Sequence, residues 1–128
     1  MRLLLDTHLL LWAAQNSPAL SFEATQLIEN PDHALFFSVA SLWEIVIKKS
    51  LGRPDFDVDP QLLRRGLLDN GYEELPIFNA HVVAVGGLPS IHRDPFDRLL
   101  IAQASSEGML LLTSDATVAA YKGPTRLV

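Results

Sequence analysis

The chain has 128 residues, 48% of them hydrophobic and 20% charged, with 15 acids against 10 bases and no cysteine. That length and composition suit one globular domain over residues 1–128 and exclude intrinsic disorder, and the missing cysteine excludes a disulfide scaffold, thiol catalysis and cysteine-ligated zinc or iron–sulfur centres. The net charge of −5 argues, on bulk charge alone, against nucleic acid as a partner.

Leu3-Leu4-Leu5 ends at Asp6 and reads as a buried central strand of a parallel sheet. Asp6 and His8 interrupt the apolar N-terminal run, and no small-residue cleavage site follows, which argues against a signal peptide. No apolar stretch reaches the ~18 residues of a membrane span. A cytoplasmic protein with no membrane partner is expected. Residues 7–15 have helical apolar spacing and stop before Asn16-Ser17-Pro18, and residues 21–29 read as a second helix ended by Asn30-Pro31. Residues 35–39 are β-branched and aromatic, a second strand. Residues 40–51 form a helix closed by Gly52, with a capping box from Ser41 to Glu44.

Residues 53–60 read as a polar loop and 61–70 as an amphipathic helix ending at Gly71. A short strand over 72–75 and a helix over 79–85 follow. The helix over 94–107 has a strong start, with Asp94 as cap and Pro95 in the first turn, and Gly108 closes it. A buried strand over 109–113, a short helix over 115–121 and an edge strand over 125–128 complete the chain. Strands alternate with helices, which predicts an α/β fold of three layers, α/β/α, around a mostly parallel sheet of four to five strands. Residues 53–70 interrupt the alternation and are a candidate lid or dimer contact.

Asp6, Glu44, Asp97 and Asp115 all fall where strands end and helices begin. Each alone has a local explanation as a helix cap or first-turn acid. Together they stand along one sheet edge, because the strand-to-helix junctions of a parallel sheet lie there, and ligands bind beyond those strand ends. Clustered carboxylates repel one another unless a cation intervenes, and Mg²⁺ or Mn²⁺ prefers oxygen ligands. Setting four acids aside as ligands leaves 11 of the 15 against 10 bases, and bound cations would screen phosphates.

These residues resemble the PIN-domain ribonucleases, specifically toxins of the VapC type from bacterial toxin–antitoxin pairs. The resemblance runs through Leu3-Leu4-Leu5-Asp6-Thr7-His8, Ser41-Leu42-Trp43-Glu44-Ile45 with Lys48, and Leu112-Thr113-Ser114-Asp115. Its most specific stretch is His92-Arg93-Asp94-Pro95-Phe96-Asp97-Arg98-Leu99-Leu100-Ile101-Ala102-Gln103-Ala104. It implies a PIN-like fold, metal-binding acids at Asp6, Glu44, Asp97 and Asp115, and Mg²⁺- or Mn²⁺-dependent hydrolysis of RNA. It also implies a cognate antitoxin of the VapB type, contact with DNA only through that antitoxin, and a homodimer. Some members of the family carry another acid two residues after the fourth; that position here is Thr117.

Supporting residues are read two ways. Asp94 is a helix cap with a place in the outer shell, and Thr113 resembles a hydroxyl the family uses beside its fourth acid. Thr7 and Ser114 are local turn bonders or ligand supports. Lys48 either pairs with Glu44 one helical turn away or steers phosphate. Arg93 and Arg98 bracket the third acid, facing RNA or solvent. His8, His33, His81 and His92 are structural or exposed, and Trp12 and Trp43 belong to core or interface. Phe22, Leu27, Leu42, Trp43 and Ile47 are candidates for an apolar contact surface, with core as the default. Competing readings are a phosphoacceptor receiver-like domain, which wants an acidic pair after the first strand, a dehalogenase-like phosphatase, which wants Asp-x-Asp, and a catalytically inactive PIN interaction module.

Overall fold

Leu3 and Leu5 face one hydrophobic core, Leu4 faces another, and none of the three touches solvent. The two-residue period of a strand produces this division, and burial on both faces marks a central parallel strand. Each buried leucine contributes roughly 1.5–3 kcal/mol, enough to fix the strand although its last step carries a carboxylate inward. The computed structural model describes all residues, Met1–Val128.

Five parallel strands form the sheet: β1 (Arg2–Leu5), β2 (Ala34–Ser38), β3 (Glu73–Leu75), β4 (Leu110–Thr113) and β5 (Thr125–Leu127). Their order is β3-β2-β1-β4-β5, and Leu4 pairs with Phe36 on one side and Leu111 on the other. Seven helices cover it: α1 (Thr7–Ala14), α2 (Phe22–Glu29), α3 (Val39–Ser50), α4 (Pro60–Asp69), α5 (Asn79–Val85), α6 (Pro95–Glu107) and α7 (Ala116–Ala119). One core gathers Leu3, Leu5, Leu9, Phe37, Ile45 and Leu67, the other Leu4, Leu75, Leu100, Ala104, Leu111 and Val118. The expected three-layer α/β/α architecture is present, with the sheet wholly parallel. No helix is long and apolar enough to cross a membrane.

From β1 the chain winds outward through β2 to β3, then returns to the other side of β1 for β4 and β5. The topological switch point therefore lies beyond the carboxyl ends of β1 and β4, the place where open α/β sheets bind ligands. Asp6 follows β1 there, and Thr113 ends β4.

Three local expectations are corrected. Helix α3 begins at Val39 because Ser38, not Ser41, caps it, accepting from the Ala40 N–H at 3.0 Å. The capping box from Ser41 to Glu44 does not form; both lie inside the helix and are buried. Residues 53–60 are not simply a polar loop, since Pro54–Phe56 makes a 3-10 turn that drives Phe56 fully into the core. Nor is α4 poised as a lid: Leu63 and Leu67 build it into the core, while Leu62 and Leu68 are exposed. Gly52 and Gly108 close α3 and α6 as expected, at φ +74° and +67°, where a side chain is strained.

Candidate active site

Asp6 is both a helix cap and a member of the acidic group. Its Oδ1 accepts from the Leu9 N–H at 3.0 Å, capping α1, and its Oδ2 accepts from the Thr113 hydroxyl at 2.6 Å. Only 5% of the residue is exposed. The backbone N–H of Asp6 donates to the Leu112 carbonyl at 3.1 Å, so β1 and β4 are tied together at the switch point. Burial holds the Asp6 carboxyl above the usual carboxylate range; the bonds from Thr113 and Leu9 and the nearby His8 pull the other way, and Glu44 adds to the rise.

Glu44 enters from the second turn of α3 and is likewise buried. Its Oε1 accepts from the Thr7 hydroxyl at 2.6 Å, and its Oε2 from Lys48 Nζ at 2.5 Å. The Thr7 hydroxyl also lies 3.0 Å from that of Ser41. A hydroxyl has one hydrogen to give, so Thr7 serves Glu44 and Ser41 donates to Thr7. The Lys48–Glu44 pair forms as i, i+4 spacing allows, but it points inward rather than along the surface: the two side chains are only 20% and 4% exposed. Lys48 Nζ also lies 5.0 Å from the centre of the Phe56 ring.

Asp97 occupies the first turn of α6, behind Pro95. Asp94 caps that helix, accepting from the N–H groups of Phe96 at 2.8 Å and Asp97 at 3.1 Å. The Asp97 Oδ2 lies 2.8 Å from His92 Nε2. Burial pushes the Asp97 carboxyl up to about 6, opposed by the His92 bond and reinforced by Asp94, Glu44 and Asp6. Asp6, Glu44 and Asp97 thus stand within electrostatic reach of one another, contributed by the N-cap of α1, the second turn of α3 and the first turn of α6.

Asp115 stands apart from this trio. Its carboxylate is exposed and caps α7 through the Thr117 N–H at 2.8 Å. Its link to the trio runs through Thr113, whose hydroxyl accepts from the Asp115 N–H at 3.0 Å while donating to Asp6. Arg98 is engaged structurally: its guanidinium donates to the carbonyls of Val85, Pro89 and His92 and to the Tyr121 hydroxyl. Arg93 and Ser114 are exposed. Trp43 is 54% exposed and meets Phe96 edge-on, so it is no core residue, and Phe22 is 77% exposed. His8 meets Phe56 edge-on and Trp12 at a tilt, while His81 is fully buried and bonds Glu107 at 2.8 Å.

His92 is the site residue that sequence reasoning missed. Ligand atoms of His92, Asp94 and Asp97 lie within 4.8 Å of one another. The signal was its place two residues before the Asp94 cap, from which a side chain can fold back over the first turn of α6. The donor set of buried and half-buried carboxylate oxygens fits a hard divalent cation, which would offset the burial, and the smaller repulsion, that raise Asp6 and Asp97. Each bonded carboxylate oxygen keeps lone pairs beyond those its hydrogen bond uses.

A family model described as PIN domain matches residues 3–124. No curated protein matches the chain. Among solved structures, it is similar to VapBC2 from Rickettsia felis bound to a DNA fragment from their promoter, at 15% identity and TM-score 0.70, over 99% of this chain and 98% of that one. VapBC-1 from nontypeable Haemophilus influenzae matches at 18% identity and TM-score 0.66, over 99% and 98% of the two chains. VapBC-5 from Mycobacterium tuberculosis, a member of the VapBC family of toxin–antitoxin systems, matches at 20% identity and TM-score 0.64, over 99% and 97%. At these identities the likeness to the solved structures is one of fold.

Proposed function

The chain belongs to the PIN-domain family, and from that premise we propose that it is a metal-dependent ribonuclease, the toxin of a toxin–antitoxin pair of the VapBC type. The observation that carries this reading is the trio Asp6, Glu44 and Asp97 at the switch point, the first two buried and the third half-buried, with the Asp6 and Asp97 carboxyls raised by burial and then by neighbouring acids. The PIN match sets aside the receiver-like and dehalogenase-like readings. An inactive interaction module would have no use for carboxylates kept crowded at such cost, and the full set of four acids argues against it.

Asp6 and Asp97 would hold Mg²⁺ or Mn²⁺ directly, with Glu44 beside them and Asp115 joining from the exposed side. Such an ion, when bound, supplies Lewis acidity and charge neutralisation for phosphodiester hydrolysis. The chain's own contribution is orientation. Thr113 fixes Asp6, and Thr7 with Lys48 fixes Glu44. Thr113 and the α1 N-terminus also favour the ionised form of Asp6 against its burial.

The three solved structures named above as similar in fold are VapBC assemblies, and one of them is bound to promoter DNA. They support a VapB-type antitoxin as partner; contact with DNA through that antitoxin and a homodimer of this chain are further parts of the proposal. The test is mapping cleavage ends on total RNA with Mg²⁺, with Mn²⁺ and with EDTA, for the wild type and Asp97→Asn. Cleavage by the wild type with either ion, absent in EDTA and in the variant, is expected. Cleavage that persists in EDTA would sink the metal mechanism, and a wild type that cuts no RNA under any condition would favour the interaction module.

A further inference from the structure

Between α5 and α6 the chain makes a non-helical approach to the Asp94 cap, and two side chains from elsewhere hold it. Arg98 Nη1 donates to the carbonyls of Pro89 at 3.0 Å and His92 at 3.3 Å, and its Nη2 donates to that of Val85 at 3.1 Å. The Tyr121 hydroxyl accepts from the His92 N–H at 2.9 Å and from Arg98 Nη1 at 3.0 Å. Tyr121 is itself buried, packed in the core beneath α6 and α7. The backbone of His92 is therefore fixed on both its N–H and its carbonyl.

The imidazole of His92 is placed accordingly, with Nε2 at 2.8 Å from Asp97 Oδ2. An ionised carboxylate only accepts, so Nε2 carries the hydrogen of this bond. The other oxygen of Asp97, Oδ1, receives no hydrogen bond from the chain and is not shut away from solvent. A carboxylate torsion is otherwise broad and roughly two-fold, so an unheld Asp97 would present either oxygen over a wide arc.

We propose that His92, clamped by Arg98 and Tyr121, is a positioning residue for Asp97: it occupies Oδ2 and leaves Oδ1 as the oxygen offered to a divalent cation. The inference rests on the reading of Asp97 as a metal ligand. Partners of this kind orient ligand side chains, and losing one typically weakens metal binding about 10–100-fold. Arg98 and Tyr121 act through His92 and touch no ligand oxygen themselves.

The experiment measures Mn²⁺ affinity of the metal-stripped full chain by electron paramagnetic resonance, alongside melting temperature. His92→Ala is expected to weaken Mn²⁺ binding about tenfold or more. His92→Gln, whose amide nitrogen reaches a similar distance, is expected to recover most of that loss. Tyr121→Phe, which removes the acceptor of the His92 N–H, is expected to fall between them. A purely structural histidine would change the melting temperature without this pattern in affinity. Wild-type affinity in His92→Ala overturns the proposal, as does nitrogen coupling to bound Mn²⁺ that marks the imidazole as a direct ligand. Should His92→Ala not fold, His92→Asn and His92→Gln carry the test: the shorter amide must bind Mn²⁺ more weakly, and equal affinities overturn the proposal. Asp97→Asn separates the two levels of the reading. If it binds Mn²⁺ as well as the wild type, the ligand assignment falls and this proposal with it; if only His92→Ala matches the wild type, this proposal alone falls.

Discussion

The Thr113 hydroxyl donates to Asp6 Oδ2 at 2.6 Å, joining the end of β4 to the acid that follows β1 across the switch point. Both residues are buried, Thr113 completely. Thr113→Val keeps the side-chain shape and leaves Asp6 Oδ2 without its donor, at a cost of about 1–3 kcal/mol. The lost bond is also one of those that lower the Asp6 carboxyl against its burial. The acid limb of the pH–activity profile is therefore expected to move upward in Thr113→Val and to stay in place in Thr113→Ser. Urea denaturation and a pH–rate series check this; a valine variant indistinguishable from the serine variant in both would remove Thr113 from the site.

Asp97 makes stability depend on pH in a definite direction. Its carboxyl is raised from 3.8 to about 6 in the folded chain, so between those values the native state holds the proton more tightly than the unfolded state. Stability of the metal-free protein must then fall as pH rises through this window, and level off above it. Asp6 is raised as well and acts in the same direction. With about 1.4 kcal/mol per pKa unit, the melting temperature in EDTA is expected to drop by roughly 5 °C or more between about pH 4.5 and about pH 7.5. Asp97→Asn should flatten part of that slope, with Asp6 accounting for the remainder, and saturating Mn²⁺ should raise the melting temperature more at the upper end than at the lower. A slope unchanged in Asp97→Asn would show that Asp97 is not the group responsible.

The leucine run ending in Asp6 was legible because a strand buried on both faces leaves no polar position until it stops. Asp94-Pro95 was legible because cap and first-turn chemistry is local, and the structure shows both in place. Where contacts are long-range, the sequence misled. Ser41 and Glu44 have capping-box spacing, yet Thr7, 37 residues before Glu44, claims the carboxylate, and Ser38 takes the cap. Phe56 between Asp55 and Asp57 looks like a loop residue, and only the core beneath it reveals its burial. The Tyr121 contact to His92 spans 29 residues and leaves no local trace. Asp115 matched the motif, but its carboxylate is exposed and its tie to Asp6 passes through a neighbouring hydroxyl.

Lys48 and Glu44 form a largely buried pair, and such pairs cost most when one partner is removed. Lys48→Met keeps the stem near Phe56 and deletes the charge. It is expected to destabilise the metal-free protein by about 1–3 kcal/mol. Combined with Glu44→Gln, the two changes should be less than additive, with a coupling on the order of 1 kcal/mol. RNA affinity of Lys48→Met at fixed salt is expected to stay near that of the wild type, because the ammonium is already engaged. Unimpaired stability together with a salt-dependent loss of RNA affinity would reverse the assignment and make Lys48 a phosphate-steering charge.

Phe56 ties the 3-10 turn to the site from below. Its ring is fully buried, His8 meets it at 5.4 Å between centroids, and Lys48 Nζ lies 5.0 Å from its centre. Phe56→Ala opens a cavity under both and is expected to cost about 3–5 kcal/mol by chemical denaturation. Phe56→Leu retains most of the volume and should cost less. Lys48 reaches Glu44 across this ring, so activity of Phe56→Ala should fall even at low temperature, where circular dichroism shows the chain folded. A cost under about 0.5 kcal/mol, the range of surface substitutions, would return residues 53–60 to the polar loop that their composition suggests.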